Sequence, residues 1–140
     1  MRYLGLDLGT TTCGVAITDK TNTIVSGLKL IKFARENYDE ALEEVINIIK
    51  EKNIDVVVLG FPKNMDNSLG FASERSLKFK KMLEDENIKV ELQDERLTSV
   101  EAINIMKNNG VKDINRKGKT DIIAATIILE SYLKKVNYGK

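Results

Sequence analysis

Histidine is absent from this chain, and cysteine and proline are almost absent. The 140 residues contain no histidine, no tryptophan, one cysteine and one proline. Without histidine the chain cannot form a Ser-His-Asp triad, a Cys-His dyad or a histidine zinc site. One cysteine excludes a disulfide framework and a cysteine zinc site within one chain. Any catalysis must therefore come from carboxylates, Lys, Arg, Tyr, hydroxyls, the single cysteine or a bound metal ion.

Neither sign of charge is in large excess, and no apolar run is long. The net charge is +1, and 42% of the residues are hydrophobic. This balance argues against a purely electrostatic nucleic-acid binder, but it allows a local basic rim. Residues 122–129, the longest apolar run, are too few to span a bilayer. Because the start of the chain has a strand pattern and no signal-peptide pattern, we expect one cytoplasmic domain over residues 1–140 and no membrane role.

Hydrophobic periodicity divides the chain into strands and helices. Strands are predicted at residues 3–8, 13–18, 23–31, 55–60 and 88–93, and helices at 38–52, about 72–87, 98–107 and 120–136. A basic loop that contains glycine is predicted at residues 112–119. The predicted order is β-β-β-α-β-α-β-α-α. It indicates an α/β fold with one five-stranded mixed sheet, the first strand central and helices on both faces.

Three acids stand where predicted elements begin or end. Asp7 lies on the face of the first strand opposite its leucines, Glu95 follows the fifth strand, and Asp121 lies in the first turn of the last predicted helix. Ligands gather near the carboxyl ends of parallel strands, and hard divalent cations prefer oxygen ligands. Carboxylates at these positions are candidates for holding a metal ion that activates water and neutralises phosphate charge without histidine.

Each acid also has a structural interpretation. Asp7 before Gly9 and Thr10 is typical of a turn former, and Glu95 is a possible solvated partner of Arg96. Asp121 in a first turn favours the helix dipole, which is the commoner reason for an acid there. Asp94 is an alternative to Glu95, because a one-residue slip of the strand exchanges which side chain faces the site.

Four motifs in order resemble the YqgF/RuvX family. The first combines Gly5-Leu6-Asp7-Leu8-Gly9-Thr10 with Gly14-Val15-Ala16-Ile17-Thr18-Asp19. The others are Gly60-Phe61-Pro62-Lys63-Asn64-Met65-Asp66, Asp94-Glu95-Arg96-Leu97-Thr98-Ser99 and Thr120-Asp121-Ile122-Ile123-Ala124-Ala125. Together these motifs cover nearly the whole chain, and their combination is far more specific than any one of them.

The resemblance implies a ribonuclease H-like fold and a nuclease. Members of the family are proposed to mature the 5′ end of pre-16S ribosomal RNA or to resolve Holliday junctions. The metal-binding acids of the family match Asp7, Glu95 and Asp121, and the implied cofactor is Mg²⁺ or Mn²⁺. The implied partners are precursor rRNA or branched DNA and ribosomal particles, and the protein is expected to be a monomer or weak homodimer.

Substrate contacts are expected around these acids. Thr11 and Thr12 stand where the family often has basic residues, so more of the phosphate contact is expected from other positions. The residues that we predict to contact nucleic acid are Thr10, Lys63, Arg96, Thr98, Arg116, Lys117 and Lys119. For the last three, a merely solvated loop is the alternative.

Two other interpretations compete with a nuclease. The segment Asp7-Leu8-Gly9-Thr10-Thr11 also matches the phosphate-binding hairpin of actin-like ATPases and sugar kinases, but those proteins hold a nucleotide between two related domains. The second competing interpretation is a non-catalytic ribosome-assembly factor. Three converging carboxylates argue against it, because they repel one another and phosphate unless a cation is present. Cys13, in a short apolar strand, is expected to be a core residue.

Overall fold

The computed structural model describes residues 2–19, 21, 24–61, 71–94 and 113–138. Its elements are β1 (Tyr3–Leu8), β2 (Thr12–Thr18), β3 (Val25–Lys32), α1 (Tyr38–Lys52), β4 (Val56–Phe61), α2 (Phe71–Asp85), β5 (Lys89–Asp94) and α3 (Asp113–Tyr138). The predicted strands and the first two helices are confirmed, with ends that shift by about two residues at most. The predicted helix at residues 98–107 lies outside the described residues.

The five strands form one mixed sheet in the order β3-β2-β1-β4-β5. The first three strands pair antiparallel, whereas β1 pairs parallel with β4, and β4 with β5. The prediction that the first strand is central is confirmed. The carboxyl ends of β1, β3, β4 and β5 therefore lie at one edge of the sheet, which we call the carboxyl edge; the opposite one is the amino edge.

The alternation of side chains along β1 separates two packed layers. Leu4, Leu6 and Leu8 are buried in the larger core, which also contains residues of α1 and α2. Helix α3 covers the other face, where Ala125, Ile128 and Leu129 pack against Ala16 and Val58. The sheet thus has helices on both faces, as predicted. Within the described residues, no helix is long and apolar enough to cross a membrane.

Local sequence sets both ends of helix α1, which begins near the carboxyl edge and ends near the amino edge. The Oδ1 atom of Asn37 accepts a hydrogen bond from the backbone N–H of Glu40, which caps the start of the helix. At its end Asn53 adopts a left-handed conformation with φ of 56°, and its N–H donates to the carbonyl of Ile49. The helix thus begins beside the loop that follows β3.

The predicted basic loop at residues 112–119 is wrong for residues 113–119, because α3 already begins at Asp113. Gly118 is the main indication of a loop, but glycine inside a helix costs only about 1 kcal/mol relative to alanine. Lysine and arginine are good helix formers, and the apolar residues that follow dock the same helix on the sheet. Asp121 consequently lies roughly two turns inside the helix and not in its first turn.

Candidate active site

Asp7 lies on the central strand, on the face that α3 covers. Strand β1 pairs with β2 so that Asp7 is opposite Gly14 and Leu8 is opposite Cys13. Side chains alternate across a strand, so Leu6 and Leu8 enter the larger core while Asp7 points to the other face. Asp7 is only partly buried. The sequence therefore places a carboxylate near the carboxyl edge, at the centre of the sheet.

A close approach of backbone to backbone brings Asp121 to this place. The carbonyl of Asp121 lies directly over Gly14, and a Cβ atom at Gly14 would overlap it. One turn further along α3, a Cβ atom at Gly5 would lie 2.9 Å from the carbonyl oxygen of Ala125. Glycine at these two positions allows the helix backbone to rest on the sheet. Asp7 and Asp121 thus both lie beside Gly14, one on the sheet and one on the helix.

Thr12 holds the side chain of Asp121. The Oγ1 atom of Thr12 donates a hydrogen bond of 2.8 Å to Oδ2 of Asp121. Thr12 and Gly14 are two residues apart on β2, so they share the face of Asp7. A hydrogen bond to a carboxylate is stronger than one between neutral groups and fixes the carboxylate's orientation.

The pKa of the Cys13 thiol responds to its burial and to both carboxylates. Burial is the largest cause that raises the pKa of Cys13 well above its ordinary value of 9.0, and the charges of Asp7 and then Asp121 raise it further. A backbone hydrogen bond from Asp7 opposes the shift. Cys13 is therefore a neutral thiol with no exposed surface, and the prediction that it is a core residue is confirmed.

Asp7 and Asp121 have the chemistry of a site for a hard divalent cation. They are two of the three predicted metal ligands, and both offer carboxylate oxygens, which Mg²⁺ and Mn²⁺ prefer. The third, Glu95, lies outside the described residues, as do Lys63, Arg96 and Thr98. Among the described residues no group of three acids, cysteines or histidines forms a metal cluster. The two described carboxylates are donors that fit a divalent ion.

The remaining predicted residues lie at the same edge or on α3. Asp94, the alternative to Glu95, is the last residue of β5. Thr10 lies in the turn between β1 and β2, where its carbonyl accepts a hydrogen bond of 2.8 Å from the N–H of Glu36. Arg116, Lys117 and Lys119 belong to the part of α3 that precedes Asp121.

Thr12 is the residue at this site that sequence reasoning missed. The resemblance marks it only as a position where the similar family often has a basic residue. A usable signal exists, because period-two alternation puts a hydroxyl at position 12 on the same face as position 14, beside Asp7. Its partner Asp121 is 109 residues away in sequence, so no local pattern indicates the pair.

Comparison with known proteins identifies a family and relatives at substantial sequence identity. A family profile described as "RuvX: Holliday junction resolvase" matches residues 1–135. A protein of Bacillus subtilis named "Putative pre-16S rRNA nuclease" is 42% identical over 138 residues, which cover 98% of this chain and 100% of that protein. A protein of the same name from Staphylococcus haemolyticus is 39% identical over 137 residues and 96% of each chain.

Solved structures resemble the fold at low sequence identity. Thermus thermophilus RuvC has a TM-score of 0.58 at 12% identity and covers 98% of this chain and 97% of its own. The fowlpox virus Holliday junction resolvase has a TM-score of 0.57 at 21% identity and covers 97% of this chain and 99% of its own. The predicted ribonuclease H-like fold is confirmed by this likeness.

Proposed function

The chain belongs to the RuvX family, and we propose that it is a metal-dependent nuclease that hydrolyses phosphodiester bonds in structured nucleic acid. The observation that carries this proposal is the pairing of Asp7 and Asp121 beside Gly14, with Thr12 holding Asp121. Two carboxylates at the carboxyl edge repel a phosphate unless a cation lies between them. In a non-catalytic binding protein this repulsion would weaken binding of nucleic acid, whereas in a nuclease the cation that relieves it also serves hydrolysis.

The 5′ end of pre-16S rRNA is the substrate that we favour. Relatives at about 40% identity over nearly the whole chain carry that substrate in their names. A Holliday junction is the second candidate, because the family profile and two structural neighbours are named for it. We propose a cytoplasmic protein that acts on RNA in or near ribosomal particles, as a monomer or a weak homodimer.

Asp7, Asp121 and Glu95 are the residues that we propose to hold Mg²⁺ or Mn²⁺. When bound, such an ion lowers the pKa of water and neutralises charge that develops on the phosphate. The choice of Glu95 over Asp94 follows from strand alternation. Val90 and Leu92 pack in the core of α1 and α2. On α3, burial and then the charge of Glu91 raise the pKa of Tyr132. Glu91 therefore faces α3, and we propose Glu95 because it shares the odd-numbered parity of Glu91.

The chain's own residues have distinct proposed tasks. Thr12 orients Asp121, and the core behind the site keeps Cys13 neutral and out of the reaction. Contacts to the substrate backbone are proposed for Thr10, Lys63, Arg96 and Thr98. Arg116, Lys117 and Lys119 precede Asp121 on α3, so any phosphate contact from them comes from a helix and not from a loop.

The test is cleavage of a precursor-rRNA 5′-end mimic in the presence of Mn²⁺. Wild type, Asp7→Asn and Asp85→Asn are purified identically; Asp85 ends α2 at the amino edge and supplies a matched loss of one acid. We expect cleavage by wild type and Asp85→Asn and none by Asp7→Asn. Equal activity in all three proteins would contradict the assignment of Asp7 and indicate a contaminating nuclease.

Parallel substrates separate the alternatives. Cleavage of a four-way DNA junction but not of the RNA would favour a resolvase, and a stable symmetric dimer in solution would agree with it, because a resolvase needs paired sites. Binding of precursor particles without cleavage of either substrate would favour an assembly factor. Tight ATP binding would favour the actin-like interpretation.

A further inference from the structure

A cavity of about 440 Å³ opens at the carboxyl edge, on the side of α1 and α2. It lies where the turn after β1, the loop after β3 and the beginning of α2 meet. It is lined by Thr10, Arg35, Glu36, Tyr38, Glu74, Arg75 and Lys78. Thr10 is three residues after Asp7, so their Cα atoms are at most roughly 11 Å apart. The cavity therefore lies close to the candidate metal site, on the opposite face of the sheet at the same carboxyl edge.

In the part of the chain that the structure describes, none of the cations of this cavity forms an ion pair with an acid. The ion pairs found there join Lys29 with Glu44, Lys52 with Glu51 and Lys80 with Glu84. Arg35, Arg75 and Lys78 take part in none of them. With Glu36 and Glu74 counted, the lining has a surplus of one positive charge. A phosphodiester carries one negative charge and would balance it.

Arg75 supplies a more specific indication. Its Nε atom is buried and has no hydrogen-bond partner. A guanidinium has five N–H donors and no acceptor, so only a group with acceptor atoms can satisfy it. Leaving a buried charged donor without an acceptor costs more than leaving a neutral one. Phosphate oxygens are acceptors that arginine binds through two parallel hydrogen bonds.

The walls of the cavity are fixed to the sheet. The carbonyl of Thr10 accepts from the N–H of Glu36 at 2.8 Å, and the carbonyl of Thr11 accepts from the N–H of Phe33 at 3.0 Å. These bonds tie the turn after β1 to the loop that carries Arg35. On the other side, Oγ of buried Ser76 donates a hydrogen bond of 3.1 Å to the carbonyl of Gly60 and ties α2 to β4. The backbone segments that carry the cations are therefore fixed to the sheet before a ligand enters.

We propose that this cavity binds a backbone phosphate of the nucleic-acid strand near the bond to be cleaved. Arg75 and Lys78 are its main ligands, and Arg35 and the hydroxyl of Thr10 complete it. The strand would pass from the metal site on the α3 face, over the carboxyl edge, to the face of α2. This inference rests on the proposed nuclease function and adds a binding site on the far side of the sheet from the acids.

The test measures binding apart from cleavage. Fluorescence anisotropy is recorded in EDTA for a labelled single-stranded RNA and a DNA of the same sequence. The Asp7→Asn protein carries either Arg75→Gln with Lys78→Gln or the control pair Lys50→Gln with Lys89→Gln. The control removes the same charge from exposed sites at the amino edge, where α1 ends and β5 begins.

We expect the cavity pair to weaken binding of both strands by roughly 10-fold or more, because charge-assisted hydrogen bonds to the phosphate are removed. The slope of log affinity against log salt should become shallower by about 0.7 for each phosphate that the protein no longer neutralises. Arg75→Lys keeps the charge but removes Nε, and it should weaken binding several-fold. If the cavity pair and the control pair bind alike, the proposal is wrong. An effect on RNA alone would also contradict it, because it would indicate recognition of the 2′-hydroxyl.

Two further measurements keep the outcomes separate. If Arg75→Gln disturbs folding, Arg35→Gln with Lys78→Gln replaces it, since both of these residues are exposed. On the otherwise wild-type chain, cleavage with an unchanged KM in the cavity pair would reject the phosphate site and leave the nuclease standing. Weaker binding by the cavity pair, with no cleavage by wild type, would support the phosphate site and reject the nuclease.

Discussion

The hydroxyl of Thr12 donates a hydrogen bond of 2.8 Å to Oδ2 of Asp121, across 109 residues of sequence. One partner is on a strand of the sheet and the other is on the helix that covers it. The bond therefore joins the two layers at the point where Asp7 and Asp121 lie beside Gly14. Its strength as a charge-assisted bond makes Thr12 a positioning residue for Asp121.

Replacing Thr12 with valine should weaken metal binding without unfolding the protein. Valine has the same shape and favours strands, but it cannot hold the carboxylate. Removing such a partner of a metal ligand costs about 10-fold to 100-fold in affinity. Calorimetric titration with Mn²⁺ checks this, and Thr12→Ser, which keeps the hydroxyl, should restore most of the affinity. Equal affinities for Thr12→Val and wild type would contradict the positioning role.

Divalent ions should stabilise the fold through Asp121. A ligand that binds only the native state raises stability, by about 2.7 kcal/mol at one hundred times its dissociation constant. Wild type should therefore melt at a higher temperature in Mn²⁺ than in EDTA, whereas Asp121→Asn should show little difference. The control Asp85→Asn should retain the full shift. A shift of wild-type size in Asp121→Asn would argue against Asp121 as a ligand.

Adding one methyl group at Gly14 should damage both stability and the site. The new Cβ atom would overlap the carbonyl of Asp121, so α3 must move. Overpacking of this kind costs about 1–3 kcal/mol, measured as the decrease in free energy of unfolding in urea. Gly9→Ala is the comparison, because its Cβ atom would meet the carbonyl of Thr12 at 3.2 Å, a contact that small shifts relieve. Equal decreases in both variants would contradict the close approach.

The thiol of Cys13 should make stability fall at high pH. Burial, Asp7 and Asp121 raise its pKa in the folded protein, so the unfolded chain loses this proton first as pH rises above about 9.0. Stability from this group is complete below that pH and declines above it, by up to about 1.4 kcal/mol per pH unit. Urea unfolding of wild type and Cys13→Ala under reducing conditions isolates the effect. Parallel pH curves would show that Cys13 does not contribute.

Much of this architecture could be predicted because it is local. The alternation of Leu4, Leu6 and Leu8 defines β1, and the β-branched run of β4 indicates a strand that is covered on both faces. The same alternation separates Asp7 from the leucines. Each of these inferences needs only the period of a strand. They account for the sheet and for the position of the first carboxylate.

The start of α3 and the support of Asp121 could not be predicted in this way. Gly118 and its basic neighbours have the composition of a loop, and only docking of the helix on the sheet outweighs that local preference. The fit of the Asp121 carbonyl over Gly14 depends on tertiary packing between distant segments. The loop predicted at residues 112–119 puts Asp121 in the first turn of a helix, where a favourable interaction with the helix dipole is enough to account for an acidic residue. In the structure Asp121 lies about two turns inside α3, where the dipole interaction no longer accounts for it.

The order of the two acids along the chain also determines when the site can form during synthesis. Asp7 is on β1, and Asp121 is on α3, which follows all five strands of the described sheet. A ribosome adds roughly 5–20 residues each second, so the sheet precursor carries its first carboxylate for several seconds before the second exists. A nascent chain cut short before α3 has neither the Thr12 contact nor a second acid beside Gly14. The two acids can therefore lie together beside Gly14 only after α3 has been synthesised and has packed on the sheet.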